Sequence, residues 1–289
     1  MNKKPWANPW TPYILIAPLV LFVVAMLGYP FVANIIYSLS DVSFQTLRTP
    51  KLEGFNNYLE TLRDGAFWSA LWFSLRFAII VTVVEVLLGL GLALLLEPLL
   101  SKRRFLLAFL LLPMMISPAL MGVMYRLILN DFVGIIPQYL KLLNIRISLL
   151  APDWILFTLI LIEVLQWTPF AFLILFTSLQ ALPGELTEAA KIDGARGSQI
   201  LRFITLPMML PAIAITSFIR FIDSFRVFDH IYVLTGGGPG TLTTSISIYI
   251  YKNFFQQERL GEAVAASILL LVMSLVPLLI SMRYTLRSS

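Results

Sequence analysis

Six apolar stretches, each long enough to cross a bilayer, run through this chain near residues 12–37, 70–96, 105–128, 154–178, 208–232 and 262–283. A membrane helix needs about 20 mostly apolar residues, so the pattern leaves little room for another architecture. The runs are continuous rather than alternating, which favours helices over the strands of a membrane barrel. Composition agrees: hydrophobic residues make up 58% of the chain and charged ones 13%. That charged share is about half that of an ordinary soluble domain, and a soluble core of this size cannot hide so much apolar surface. The fold class expected is all-α, a polytopic membrane protein with six transmembrane helices.

Lys3 and Lys4, followed by the run from Tyr13 to Phe31, imitate a secretory signal. The run exceeds the roughly 7–15 residues of a signal core and no A-x-A cleavage site follows, so it reads as an uncleaved first span. With both termini cytoplasmic, ten Lys and Arg of the connecting segments fall inside and seven outside. Positive charge stays inside, and the compact Lys102-Arg103-Arg104 cluster sits in a short link, where it counts most. The formal charge of +5 is read as this topology signal and not as a nucleic-acid surface, because the basic residues lie in small clusters between spans. The absence of Cys and the single histidine, His230, exclude disulfides, thiolate chemistry and multi-His metal sites. Segments 53–64 and 131–145 are amphipathic pieces too short for an independent core. The expected division is 1–66 for the first span and first periplasmic segment, 67–284 for the transmembrane core, and 285–289 for a cytoplasmic tail.

The longest inward-facing segment, Ala181 to Pro207, has a distinctive local grammar. Pro183-Gly184 breaks the preceding span. Glu185 to Asp193 reads as a short helix with acids early in it, favourable near a helix N-terminus. Gly194 suits the left-handed residue that ends such a helix. Ser198 is expected to cap a second short helix, limited by Pro207 before the fifth span begins. Ala189 and Ala190 keep one face small for close approach of a partner, and Glu188 and Asp193 offer that partner carboxylates.

Glu188-Ala189-Ala190, then Gly194 four residues after Ala190, then Ile204-x-Leu206-Pro207, match the EAA signature of the permeases of binding-protein-dependent ABC importers, which this chain resembles. The likeness spans about residues 12–284 and is densest over 166–240. Val227-Phe228-Asp229 with Leu234-Thr235-Gly236-Gly237-Gly238-Pro239-Gly240, Gln166-Trp167-Thr168-Pro169, and Leu112-Pro113 look like the carbohydrate branch of the family, the maltose and glycerol-phosphate importer type. The resemblance implies the type I permease fold, with the 181–207 loop docking into a cleft on an ATPase subunit. Glu188 is then the docking carboxylate and Gly194 the turn, with Ala189, Ala190, Asp193, Leu206 and Pro207 completing the element. The partners it implies are a second homologous permease subunit, two cytoplasmic ATPase subunits, an extracytoplasmic solute-binding protein, a carbohydrate-like solute and membrane lipid. The location it implies is the inner membrane of a bacterial cell. ATP and Mg would be bound by the partner ATPase subunits; no cofactor and no enzymatic activity are expected of this chain, which has no Walker A sequence. The glycine run 236–240 lacks the Lys-Ser or Lys-Thr of a nucleotide loop and does not sit between a strand and a helix, so a tight outer turn or re-entrant dip is expected there.

Ionisable groups inside membrane spans are costly and usually face a bundle interior or a water-filled cavity. Arg220, Asp223, Arg226 and Asp229 alternate in sign every third residue. On a continuous helix turning about 100° per residue they spiral through roughly half a circumference, each neighbouring pair within reach across one turn. Phe218, Phe221, Phe225 and Phe228 fall on a stripe about 80° wide, with Asp229 near it and Arg220 nearly opposite. Arg220 and Asp223 are expected to serve helix contacts or the cytoplasmic end. Phe225, Arg226, Phe228 and Asp229 are the candidates for the solute path, since aromatic faces stack on the C–H faces of sugars and a carboxylate accepts hydroxyl hydrogen bonds. Plain packing of the phenylalanines and pairing among the charges are the alternatives. Glu163, Gln166 and Trp167 on the fourth span, with Tyr125 and Arg126 near the outer end of the third, are further path candidates. The competing function is an ion-coupled secondary transporter of a small polar solute, with Glu85, Glu163 and Asp223 as proton or cation sites. A membrane-embedded enzyme finds no His-rich, Ser/Lys or paired-Asp constellation in support.

Overall fold

The computed structural model describes residues 10–100, 103 and 105–285. Lys3, Lys4, Lys102, Arg104 and residues 286–289 of the tail lie outside the described residues. The apolar runs become helices. Thr11–Ser38 comprises α1 (Thr11–Val23), a π-turn at Val24–Gly28 and α2 (Tyr29–Ser38). The next helices are α3 (Asn56–Arg63) and α4 (Gly65–Leu100). The third run gives α5 (Phe105–Leu111) and α6 (Pro118–Ile128), followed by α7 (Ile135–Leu142). The fourth is α8 (Pro152–Gln180), followed by α9 (Gly184–Ile192) and α10 (Gly197–Ile200). The last are α11 (Leu206–Phe225), α12 (Asp229–Thr235), α13 (Ile246–Phe255) and α14 (Leu260–Thr285).

Among the described residues, four helices are long and apolar enough to cross a membrane: Thr11–Ser38, Gly65–Leu100, Pro152–Gln180 and Gly197–Thr235. A bent pair, Phe105–Met115 with Pro118–Ile128, makes five if counted as one span. The apolar stretch Leu260–Leu275 of α14 is shorter.

Two of the expected spans are not simple rods. The third turns by 81° between its halves. Pro118 disfavours helical backbone at the residue before it, and Ser117 accordingly takes φ −57, ψ 134. The fifth leaves the helix after Phe225 and restarts at Asp229, with Phe228 at φ −138, ψ −60. Backbone carbonyls freed by such a break need new donors inside a membrane protein. Ser247 Oγ donates to the Arg226 carbonyl at 2.9 Å and Ser245 Oγ to that of Val227 at 2.6 Å. The helical wheel drawn from 218 to 229 therefore holds only as far as Phe225.

The chain divides into two compact units. The first runs to Asp64 and takes in Ile250–Leu270. It contains a short antiparallel ladder, β1 (Ser40–Asp41) with β2 (Lys51–Leu52), and α3 beside it. Buried Asn57 ties this unit: its Nδ2 donates to the carbonyls of Ser38 at 3.0 Å and Ser40 at 2.9 Å. Gly261 lies directly against that side chain; a Cβ there would sit 2.6 Å from Asn57 Nδ2.

The second unit, Gly65–Tyr249 with the chain beyond Leu270, holds the main cores. One is built from Phe73, Phe77, Ile155, Leu159, Ile162 and Ile231, the other from Val86, Ala93, Phe172, Leu175, Phe176 and Met209. The α4–α8 crossing is close because Gly89 permits it: a Cβ at Gly89 would stand 2.8 Å from Phe172 N and 3.0 Å from the Ala171 carbonyl carbon. Small residues at such crossings let membrane helices pack backbone to backbone. Gly91, two residues on, has nothing within 4 Å of its would-be Cβ. Gly89→Val is expected to destabilise the protein by about 1–3 kcal/mol through overpacking, whereas Gly91→Val leaves stability unchanged or slightly raised. Thermal unfolding of the purified protein in detergent checks both, and equal melting of the two variants would contradict the close crossing.

Candidate functional site

Among the described residues, Arg220 of α11 is the largest side chain that is fully buried, at 0% exposure. An arginine has five donors and never gives up its charge, so its burial demands acids. Two arrive from other helices. Its Nε donates to Glu85 Oε2 of α4 at 2.6 Å and its Nη2 to Glu85 Oε1 at 3.1 Å, a two-pronged grip. Nη2 also reaches Glu163 Oε1 of α8 at 3.0 Å and Ser224 Oγ at 3.3 Å. Nη1 stands 3.8 Å from Asp223 Oδ2, and the guanidinium carbon lies 4.8 Å from the centre of the Trp167 ring. One cation thus joins α4, α8 and α11. The role expected for Arg220 in helix contacts corresponds to this position. The pairing with Glu85, 135 positions away in sequence, is an addition. A signal existed: a mid-span arginine needs acids at membrane depth, and Glu85 and Glu163 lie within the second and fourth spans.

Beside this cluster opens a cleft of about 260 Å³ lined by Pro118, Glu163, Trp167, Arg220, Asp223, Arg226, Val227, Phe228, Asp229 and His230. The break in the fifth span makes it, because the non-helical turn at 226–228 brings Arg226, Phe228 and Asp229 to the wall. Arg226 Nη2 is paired with Asp223 Oδ1 at 2.8 Å. Glu163 is 3% exposed and His230 1%, and Glu163 Oε2 and His230 Nε2, 3.5 Å apart, are buried without a hydrogen-bond partner.

Five of the expected path residues, Glu163, Trp167, Arg226, Phe228 and Asp229, therefore meet in one cleft. The other four stand elsewhere. Phe225 is buried and stacks on Phe221, with ring centres 5.8 Å apart. Gln166 is buried and its Nε2 donates to the Ile116 carbonyl at 2.8 Å, holding the bend of the third span. Tyr125 packs against the first core, and Arg126 is exposed, its Nη1 3.4 Å from the Val233 carbonyl. His230 and Pro118 are not among the path residues expected from the sequence. A lone His beside an Asp, and a Pro at a helix start, carry no distinguishing pattern in sequence.

The 181–207 segment has a second kind of geometry. At the end of α9 the Gly194 N–H donates to the Lys191 carbonyl at 3.1 Å and the Ala195 N–H to the Ala190 carbonyl at 2.9 Å. Gly194 itself is left-handed, φ 80. This crossed pair of bonds closes a helix with glycine in the left-handed position, which is why Gly194 must follow Ala190 by four residues. Glu188, Ala189, Asp193 and Gly194 are exposed, and Ile192 is 87% and Phe203 69% exposed. Two details differ from expectation. Ser198 is not the cap of α10: Arg196 occupies that place, and its backbone N–H donates to Gln199 Oε1 at 2.7 Å. Pro207 does not end the second helix either. A π-turn at Leu201–Thr205 carries the helical backbone from α10 into α11, with Leu206 and Pro207 in its first turn. Proline is tolerated there because the π-turn just before it widens the backbone ring, so a residue without an N–H can be passed without ending the helix.

The run Leu234–Gly240 forms a tight turn. Gly236, Gly237 and Gly240 have positive φ. Thr243 and Thr244 tie it down, donating to the carbonyls of Gly238 at 2.8 Å and Gly237 at 2.9 Å. Among the described residues no group of three His, Cys, Asp or Glu is arranged to hold a metal.

Comparison with known proteins adds four findings. The family described as binding-protein-dependent transport system inner membrane component matches residues 85–287. The trehalose/maltose transport system permease protein MalF of Thermococcus litoralis is 35% identical over 277 residues, covering 95% of this chain and 93% of its own. A solved bacterial ABC transporter involved in the import of the acidic polysaccharide alginate superposes with a TM-score of 0.83 over 98% of this chain and 97% of its own, at 23% identity. A solved bacterial alginate ABC transporter in complex with an alginate pentasaccharide-bound periplasmic protein gives 0.81 over 96% of each chain, at 24% identity. At such identities the likeness is one of fold.

Proposed function

This chain belongs to the family of binding-protein-dependent transport system inner membrane components, and we propose that it is the permease subunit of an ATP-driven importer of sugars or related glycosides and polyols. Its fold is that of a type I ABC importer permease. In this reading the chain crosses the inner membrane of a bacterial cell six times with both termini cytoplasmic. Residues 1–66 supply the first span and periplasmic segment, 67–284 the transmembrane core, and 285–289 a cytoplasmic tail. A second homologous permease completes the path, two ATPase subunits bind ATP and Mg, and a periplasmic solute-binding protein delivers the cargo.

The observation that carries the reading is the exposed element around Gly194. Glu188, Ala189, Ala190, Asp193 and Gly194 form a small-faced, acidic knob, joined through Leu206 and Pro207 to the helix that holds Arg220. A knob fixed to α11 can transmit a push, and Arg220 bonds α11 to α4 and α8. Closure of the ATPase pair on two such knobs would rock these helices as a unit between inward and outward openings. The cleft of Glu163, Trp167, Arg226, Phe228 and Asp229 is the solute path, and Phe225, Gln166, Tyr125 and Arg126 lie outside its lining.

Vesicles containing the assembled transporter test this. Uptake is expected to require ATP inside the cytoplasmic compartment and to be indifferent to an imposed proton or sodium gradient. Asp229→Ala is expected to raise the solute concentration for half-maximal uptake about tenfold, the worth of one hydrogen bond to a charged acceptor, with assembly intact. Gradient-driven uptake without ATP would replace the importer by a secondary transporter.

A further inference from the structure

The cleft carries more information than its place on a path. Glu163 has two carboxylate oxygens: Oε1 accepts from Arg220, while Oε2, buried, accepts from nothing. Facing it at 3.5 Å is His230 Nε2, also buried and unpartnered. Leaving two polar atoms desolvated and unsatisfied is costly, about 1–3 kcal/mol each. The cost is removed when a ligand group satisfies both. A carboxylate oxygen only accepts, so the group must donate to Glu163. With its proton on Nε2 the imidazole donates, so the same group must accept from His230. A hydroxyl does both; a phosphate or carboxylate oxygen does only the second.

The surrounding charge points the same way. Lining the cleft are three acids, Glu163, Asp223 and Asp229, against two arginines, Arg220 and Arg226. Three negative less two positive leaves one negative charge in the lining, with Glu85 directly behind. Both arginines are already engaged: Arg220 with Glu85 and Glu163, Arg226 with Asp223. An anionic solute would meet excess like charge and cations already paired.

We propose that Glu163 Oε2 and His230 Nε2 form a hydroxyl-binding pair, and that the cleft selects neutral polyhydroxy solutes over their anionic counterparts. The Trp167 ring in the same wall offers an apolar surface to a sugar's C–H face. The inference rests on the reading that this cleft lies on the solute path, and the experiment separates the two.

The chain has no cysteine, so Pro118→Cys places a single thiol in the cleft wall of the assembled transporter. Its reaction with a thiol reagent is followed in the presence of a neutral panel (trehalose, maltose, glycerol) and of trehalose 6-phosphate and glycerol 3-phosphate. At least one neutral member is expected to protect the thiol, and trehalose 6-phosphate and glycerol 3-phosphate to protect at least tenfold less well than it. His230→Phe and Glu163→Gln are expected to raise the protecting concentration of the neutral solute about tenfold. His230→Gln, whose amide nitrogen can stand where Nε2 stood, is expected to retain most of the protection. Equal or better protection by either phosphorylated compound overturns the selectivity. Unchanged protection in both His230→Phe and Glu163→Gln overturns the hydroxyl pair. A reactive thiol that no member of the panel protects removes the cleft from the path, and the inference with it.

Discussion

Arg220→Ala is expected to cost about 3–5 kcal/mol, the penalty for breaking a buried ion cluster and leaving its partners charged and dry. Glu85 is 0% and Glu163 3% exposed, so both acids lose their cation at a place where they are largely shielded from water. The two carboxylates come from helices that pack on α11, so the loss falls on the junction of three spans and not on one side chain. The expected result is a sharp fall in melting temperature and in yield of assembled transporter. The triple variant Arg220→Met, Glu85→Leu, Glu163→Leu removes the charges together and is expected to recover much of that stability, since apolar replacement of a buried ion cluster is often neutral or better. If Arg220→Ala melts like the wild type, the cluster is not a structural joint. The same geometry argues against Glu85 as a site in the ion-coupled alternative. A carboxylate that takes up and releases protons or sodium must be reachable and uncommitted, whereas Glu85 is fully buried with both oxygens on Arg220.

The second large effect is expected at Gly194. Its would-be Cβ has nothing within 4 Å, so any side chain fits in space, but its φ of 80 is a conformation that branched residues resist. Gly194→Val therefore alters conformation without a clash. It costs about 1–2 kcal/mol, either locally or by unfolding the crossed hydrogen bonds to Lys191 and Ala190. Solute-stimulated ATPase activity is expected to fall tenfold or more while the membrane spans stay folded. Glu188→Ala, which removes an exposed carboxylate from the same knob, is expected to lower it in the same way. Gly197→Ala is the control: its φ is not positive and its Cβ also meets open space, so coupling stays intact. Equal stimulated activity in Gly194→Val and the control would remove the knob from the coupling path.

Membrane character, the helical class and the short helix of the 181–207 segment are legible in the sequence because each rests on local information. Apolar run length sets a span, and Pro183-Gly184 with Gly194 sets a helix between two breaks. What escapes is non-local. The wheel through Arg220, Asp223, Arg226 and Asp229 assumes a continuous helix, and nothing in its own segment announces the break. The hydroxyls that make the break tolerable, Ser245 and Ser247, arrive from 18 and 21 residues further along the chain. Ser198 reads as a cap by residue type, yet the backbone of Arg196 and the side chain of Gln199 close that end first. Pro207 reads as a stop because proline usually is one, but a helix that has just passed a π-turn accepts it. Local signals named the parts correctly more often than they named their partners.

In a permease driven by a separate ATPase, the exposed face at Ala189 must meet the ATPase subunit. Because the chain lacks cysteine, Ala189→Cys in the assembled transporter gives one thiol for crosslinking to this face. The predicted result is a covalent product with the ATPase subunit, in a yield that changes when ATP binds. Reaction of that thiol only with reagents added from the periplasmic side, and no product with an ATPase subunit, would contradict it.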